Sequence, residues 1–162
     1  MKNTIKIGIA DMNVAKGEDE LVTFALGSCV AICLWDPNSK IAGMVHIMLP
    51  DSKQLNNSAS QPLKFADTGL VELLKAMQLK GAKMPSLKAK IAGGAQMFAD
   101  IGNSPMGRIG ERNVQAVKAG LAKFRIPIIA EDTGKDFGRT CYFDAPTGTM
   151  VIKSALKGEW KF

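Results

Sequence analysis

Three side chains in the first third of the chain have types and spacing that suit covalent chemistry. Cys29 directly follows Gly27-Ser28 inside the otherwise apolar run "TFALGSCVAICLWD", Thr23 to Asp36. His46, the only histidine, lies in a second apolar run, "IAGMVHIML". A free thiol has a pKa near about 8.5 and is a weak nucleophile at neutral pH, whereas a neighbouring imidazolium stabilises the thiolate. The same imidazole can hand a proton to a departing amine. Gly27 leaves space for a substrate beside the sulfur, and main-chain N–H groups of the Gly27-Ser28-Cys29 bend can hold an oxyanion. A third group ordinarily orients the histidine, and both Thr23 and Ser28 are candidates. The competing reading is a cysteine that only fills core space and a histidine that is only a hydrogen-bonded strand residue. Cys33 and Cys141 have no such break beside them and read as core.

Positioning falls to the elements around "DPNSK", which is strong turn chemistry and joins the two apolar runs as a hairpin. Side chains alternate along a strand, so Cys29, Ala31, Cys33 and Trp35 share one face, and Met44, His46 and Met48 share another. With two residues unpaired at the turn, Cys29 lies directly opposite His46. With four, Cys29 opposes Met48 and His46 sits on the diagonal. Either places sulfur and imidazole on one side, with Cβ atoms roughly 5 or 7 Å apart. Three unpaired residues would put them on opposite faces.

The remaining chain supplies a layered α+β domain. Strand-like runs are "TIKIGIA", "LVTFAL", "LKAKIAGGAQMF", "IPIIAED", "RTCYFD" and "TMVIK", the last two joined by the turn "APTG". "ADTGLVELLKAMQLKG" carries Leu70, Leu73, Leu74 and Met77 at helical spacing, with Asp67 as N-cap and Gly81 as stop. "GERNVQAVKAGLAKF" puts Val114, Val117, Leu121 and Phe124 on one helical face. Two helices against seven or eight strands, with hairpins, predict a mixed, mostly antiparallel sheet. The polar run from Asp51 to Lys64 reads as a mobile surface loop bordering the site entrance.

At 162 residues the chain is expected to form one domain, residues 1–162. Three cysteines without a CxxC pair and a single histidine argue against a disulfide framework or a four-ligand zinc site. Free thiols suit the cytoplasm. No apolar stretch is long enough for a membrane span, and the N-terminus carries no secretory signal pattern. The formal charge of +6 favours acidic partners, but its even spread along the chain does not suggest nucleic acid.

"LGSCVAICLWDP", "GMVHIMLPDS", "KFADTG", "KIAGGAQMF", "IGERN" and "AEDTG", in this order, resemble the CheD family of chemoreceptor glutamine deamidases. The resemblance implies a layered fold like the catalytic domain of cytotoxic necrotizing toxins. It also implies a Cys-His-Thr triad of Cys29 as nucleophile, His46 as base and Thr23 as orienting residue, with no metal or organic cofactor. The implied reaction converts receptor glutamines to glutamates with release of ammonia. The implied partners are chemoreceptor cytoplasmic helices and a CheC-type phosphatase; a module that mainly binds and stimulates that phosphatase is the rival reading. One departure stands out: the family often reads Glu-Asp-Thr-Gly-Gly, and Lys135 occupies the second glycine's place.

Overall fold

The computed structural model describes residues 2–55, 58–97 and 108–162. Asn56 and Asn57 of the polar run, and Phe98 of "LKAKIAGGAQMF", lie outside them. The described strands are β1 (Thr4–Ile7), β2 (Met12–Lys16), β3 (Glu20–Leu26), β4 (Val30–Asp36), β5 (Ile41–Ile47), β6 (Lys88–Gly93), β7 (Ile128–Thr133), β8 (Arg139–Asp144), β9 (Met150–Ser154) and β10 (Gly158–Lys161). The two helices are α1 (Ala66–Leu79) and α2 (Ile109–Lys123).

The strands form two five-stranded sheets, ordered β1-β3-β8-β9-β10 and β2-β5-β4-β6-β7. Pairing is antiparallel except for β1 with β3 and β6 with β7. The expectation of one mixed, mostly antiparallel sheet is thus refined to two. Three layers result: the first sheet, the second sheet, and the helices.

The second sheet is covered on both faces, which is why its central strands read as unbroken apolar runs. Val30, Ile32, Leu34, Val45 and Ile47 meet Leu70, Leu73 and Met77 of α1 and Val117 and Leu121 of α2. On the other face the small Ala31, Cys33, Ala42 and Ala92 meet Leu21, Cys141, Phe143, Met150 and Ile152 of the first sheet. Gly43 lets α1 approach closely, since a Cβ there would stand 2.6 Å from the Met77 sulfur.

The β4–β5 turn leaves four residues unpaired, with Asp36 opposite Ile41. Asp36 Oδ1 accepts the Asn38 N–H at 2.9 Å, and the Lys40 N–H returns to the Asp36 carbonyl at 2.8 Å with φ +55° at Lys40. This selects the diagonal arrangement of the alternatives above.

Helix α1 differs from expectation at its start. Phe65, not Asp67, is the N-cap. Asp67 lies in the first turn and accepts the Ser52 N–H at 3.1 Å and the Ser52 hydroxyl at 2.7 Å. That pair pins the polar run to the helix. The run itself contains three 3-10 turns at Ser52–Gln54, Ser58–Ser60 and Pro62–Lys64. Its end is fixed too, because the Met48 and Leu49 N–H groups both donate to the Lys64 carbonyl. Short turns, bonded at both ends, thus make up the described part of this run. Gly81 ends α1 as expected, with φ +112° just beyond the Lys80 cap.

Candidate active site

Cys29 sits on the bend just before β4, half-buried, while His46 near the end of β5 is fully buried. His46 is directly opposite Ala31, so Cys29 lies one diagonal step away on the same face. The small Ala31 leaves room for the ring. That face looks into the layer between the two sheets.

The first sheet supplies the third group. Thr23 is fully buried on β3, and its Oγ1 lies 2.8 Å from the Ile7 carbonyl and 2.7 Å from His46 Nδ1. A carbonyl can only accept, so the single hydroxyl proton goes to Ile7. Thr23 Oγ1 must then accept from Nδ1, which places the imidazole proton on Nδ1. His46 Nε2 is left with a lone pair and has no hydrogen-bond partner among the described residues. An unpaired buried acceptor is costly, and it is the atom a general base needs. Ser28, the other candidate for orienting the ring, is not in this arrangement.

Burial sets the protonation states. It pushes the Cys29 thiol up, opposed by that residue's own main-chain N–H. It lowers His46 from 6.5 to about 4. Burial thus favours the neutral form of each group, the thiol and the imidazole.

The bend is held by its carbonyls. Gly94 N–H donates to Cys29 O at 2.8 Å and Ala95 N–H to Gly27 O at 2.9 Å. "GG" in "KIAGGAQMF" is required here: both glycines have positive φ, +111° and +68°. A Cβ on Gly93 would stand 2.2 Å from the Cys29 carbonyl oxygen. Gly27 donates its N–H to Ala25 O at 3.1 Å, so it does not supply a free donor to the bend. Ser28 and Cys29 remain as main-chain donors beside the sulfur. Gly27 does provide space, but the Met97 side chain already fills it, 3.1 Å from where a Cβ would be.

Cys33 and Cys141 are fully buried free thiols, 3.9 Å apart between the sheets. They pack as core, as their setting in the sequence suggests. Among the described residues no group of three His, Cys, Asp or Glu side chains is placed to hold a metal ion. Among the same residues no helix is long and apolar enough to cross a membrane.

One residue at this site escaped the sequence reading. Asn113 of α2 is fully buried, and its Nδ2 donates to Ser28 O at 3.0 Å and Met48 O at 2.9 Å. The signal was present: an asparagine four and eight residues before Val117 and Leu121 interrupts an otherwise apolar helical stripe.

Lys135 adopts φ +62° beside Gly134 at φ +78°, the left-handed region a glycine would enter freely. Its carbonyl accepts the Gln96 N–H at 2.8 Å. The loop therefore keeps a glycine-like backbone in spite of the lysine.

Comparison with known proteins identifies the family. The family model described as "CheD chemotactic sensory transduction" matches residues 48–154, starting just after His46. A protein of Lachnoclostridium phytofermentans named "Probable chemoreceptor glutamine deamidase CheD" is 52% identical over 161 residues, 99% of each chain. One of Halalkalibacterium halodurans named "Chemoreceptor glutamine deamidase CheD" is 47% identical over 159 residues, 98% of each. A third, of Syntrophomonas wolfei, is 47% identical over 159 residues and carries the first relative's name. The chain belongs to the CheD family.

Proposed function

We propose that this protein is a chemoreceptor glutamine deamidase in which Cys29, His46 and Thr23 carry the reaction. The observation that carries the reading is the Thr23–His46 hydrogen bond, which fixes the tautomer and leaves Nε2 unpaired on the face shared with Cys29. Cys29 Sγ attacks the side-chain amide carbon of a receptor glutamine as its proton passes to Nε2. The developing oxyanion is held by the Ser28 and Cys29 N–H groups. Collapse breaks the C–N bond, and the proton on Nε2 leaves with ammonia. Water then attacks the thioester while His46 takes a proton from it, and the product carboxylate departs as the thiol is restored.

The low basicity of His46 suits this order of events. Once protonated by the thiol it is a strong acid, ready to give its proton to the amine. The substrate is the cytoplasmic helical region of a chemoreceptor, so the protein works in the cytoplasm. The formal charge of +6 helps it meet an acidic surface, without nucleic acid or membrane insertion. Residues 1–162 act as one domain, because the candidate triad draws on both sheets. A CheC-type phosphatase is a second partner on the strength of the family resemblance, tested by direct binding to the purified phosphatase.

Mass spectrometry of receptor fragments incubated with the protein tests the enzyme reading. Each reacted glutamine gains the mass difference between NH₂ and OH. Cys29→Ala should abolish the gain while the circular dichroism spectrum is unchanged. Normal turnover by that variant would refute the mechanism.

A further inference from the structure

The ladder between β4 and β5 ends at Val30 opposite Ile47, one residue short of Cys29. Beyond it the two chains part, since Met48 and Leu49 turn away to bond Lys64. Cys29 is therefore tied to the β6 side through its carbonyl, but it lies beyond the ladder that would fix its distance to the His46 strand. Asn113 spans that gap. One Nδ2 hydrogen goes to the carbonyl just before Cys29 and the other to Met48, the residue opposite Cys29 in register.

The helix that carries Asn113 is seated tightly enough to serve as a strut. A Cβ on Gly110 would stand 2.5 Å from the Ala95 carbonyl and 2.6 Å from the Gly94 carbonyl. Those residues in turn donate to the Cys29 and Gly27 carbonyls. Val117 and Leu121 fasten the rest of the helix into the core. The "IGERN" motif thus has a physical content: a glycine for close approach, and an asparagine three residues later that reaches past it. Both amide hydrogens are committed, yet Oδ1 is buried without a partner among the described residues. An asparagine used for packing alone would not tolerate that cost; it is accepted where two carbonyls must be bridged by one group.

We propose that Asn113 is a positioning residue of the active site, holding the Ser28–Cys29 peptide against the Met48 peptide so that the sulfur stays in reach of His46 Nε2. This rests on the deamidase reading for its role in turnover, but not for its effect on the thiol.

The test compares Asn113→Ala and Asn113→Ser with Val117→Ala, a core change in the same helix. Two readouts are taken on folded protein: deamidation kinetics on receptor fragments, and the pH profile of Cys29 alkylation by iodoacetamide. Cys33 and Cys141, being buried, do not compete. Asn113→Ala should lower kcat by about 10- to 100-fold, the scale for slight misplacement of reacting groups. KM should stay within about twofold, because no substrate contact is lost. The midpoint of the alkylation profile should move. Asn113→Ser keeps one donor, should be intermediate in both, and replaces the alanine variant if that does not fold. Val117→Ala should lower the melting temperature and leave kcat and the alkylation profile alone. If the folded Asn113 variants alkylate with the wild-type profile, or Val117→Ala shifts it equally, the proposal is overturned. If wild-type protein deamidates nothing, the functional reading fails, while the alkylation comparison still decides the role of Asn113.

Discussion

Thr23 Oγ1 and His46 Nδ1 stand 2.7 Å apart, yet the two residues belong to different sheets. Among the described residues the bond is the one polar link by which the first sheet acts on the ring. Replacing Thr23 by valine keeps the branched shape and removes the acceptor. The Nδ1–H would be orphaned in a buried site, costing about 1–3 kcal/mol. The ring would also lose its fixed tautomer, so kcat for deamidation should fall on the order of 10²-fold or more. Mass-resolved turnover of receptor fragments checks this; an unchanged rate would remove Thr23 from the mechanism.

Acid should destabilise the protein through His46. Its imidazole titrates near 4 when folded against 6.5 when free. Between those values the unfolded chain holds a proton that the folded chain does not. The penalty is therefore absent above about pH 6.5 and complete below about pH 4. At pH 5 it is worth about 2 kcal/mol by linkage. His46→Gln should show a correspondingly smaller drop in melting temperature between pH 7 and pH 5. Parallel curves for the two proteins would contradict the buried, neutral ring.

Cys29 should behave as a thiol at neutral pH, since burial raises its pKa. Alkylation by iodoacetamide should keep rising as pH passes the free-thiol value of about 8.5, without a plateau near neutrality. A rate already at its maximum at pH 7 would mean a preformed thiolate and a different first step.

Gly93→Ala should be among the most damaging single changes. The new methyl would enter the Cys29 carbonyl at 2.2 Å, on a backbone with φ +111°. Backbone on both sides leaves nothing flexible to yield, so a loss of about 4 kcal/mol or more is expected. Chemical denaturation measures it; a variant with normal stability would show that the bend is not held where it is described.

Lys135→Gly should stabilise slightly. A left-handed lysine carries steric strain, partly offset by the greater freedom of glycine in the unfolded chain. A net gain of about 0.5 kcal/mol is expected. Deamidation should be unaffected, and a lower melting temperature would mean that the lysine side chain makes a contact of its own.

The shared face of Cys29 and His46 was more legible than the architecture. Cys29 and His46 could be paired from strand alternation and turn composition, because those rules are local. Which even register applied could not be read, as it depended on the Asp36 side chain capping the turn. The missed strands, "MNVAK" and "GEWK", are both edge strands, short and bearing charge, and edges lack the apolar alternation that marks a strand. The split into two sheets was hidden because Ala31, Cys33 and Ala42 look like any small apolar residues until a second sheet is placed on them. Asp67 misled for a different reason: it had a better partner in Ser52, far away in neither sequence nor space, than in its own helix end. Thr23 could be chosen over Ser28 only through family resemblance, since the contact that distinguishes them crosses between sheets.

All three candidate groups lie within the first 46 residues, and a ribosome delivers them early. Of the two strands that flank Thr23, β1 is made first, with Ile7 opposite it, and β8, with Cys141 opposite it, comes much later. Until residues 139–144 have emerged, β3 is paired on one side only. A nascent chain of that length thus holds Cys29, His46 and Thr23 in a layer still open on the β8 side. The last third of the chain closes the layer that its first third began.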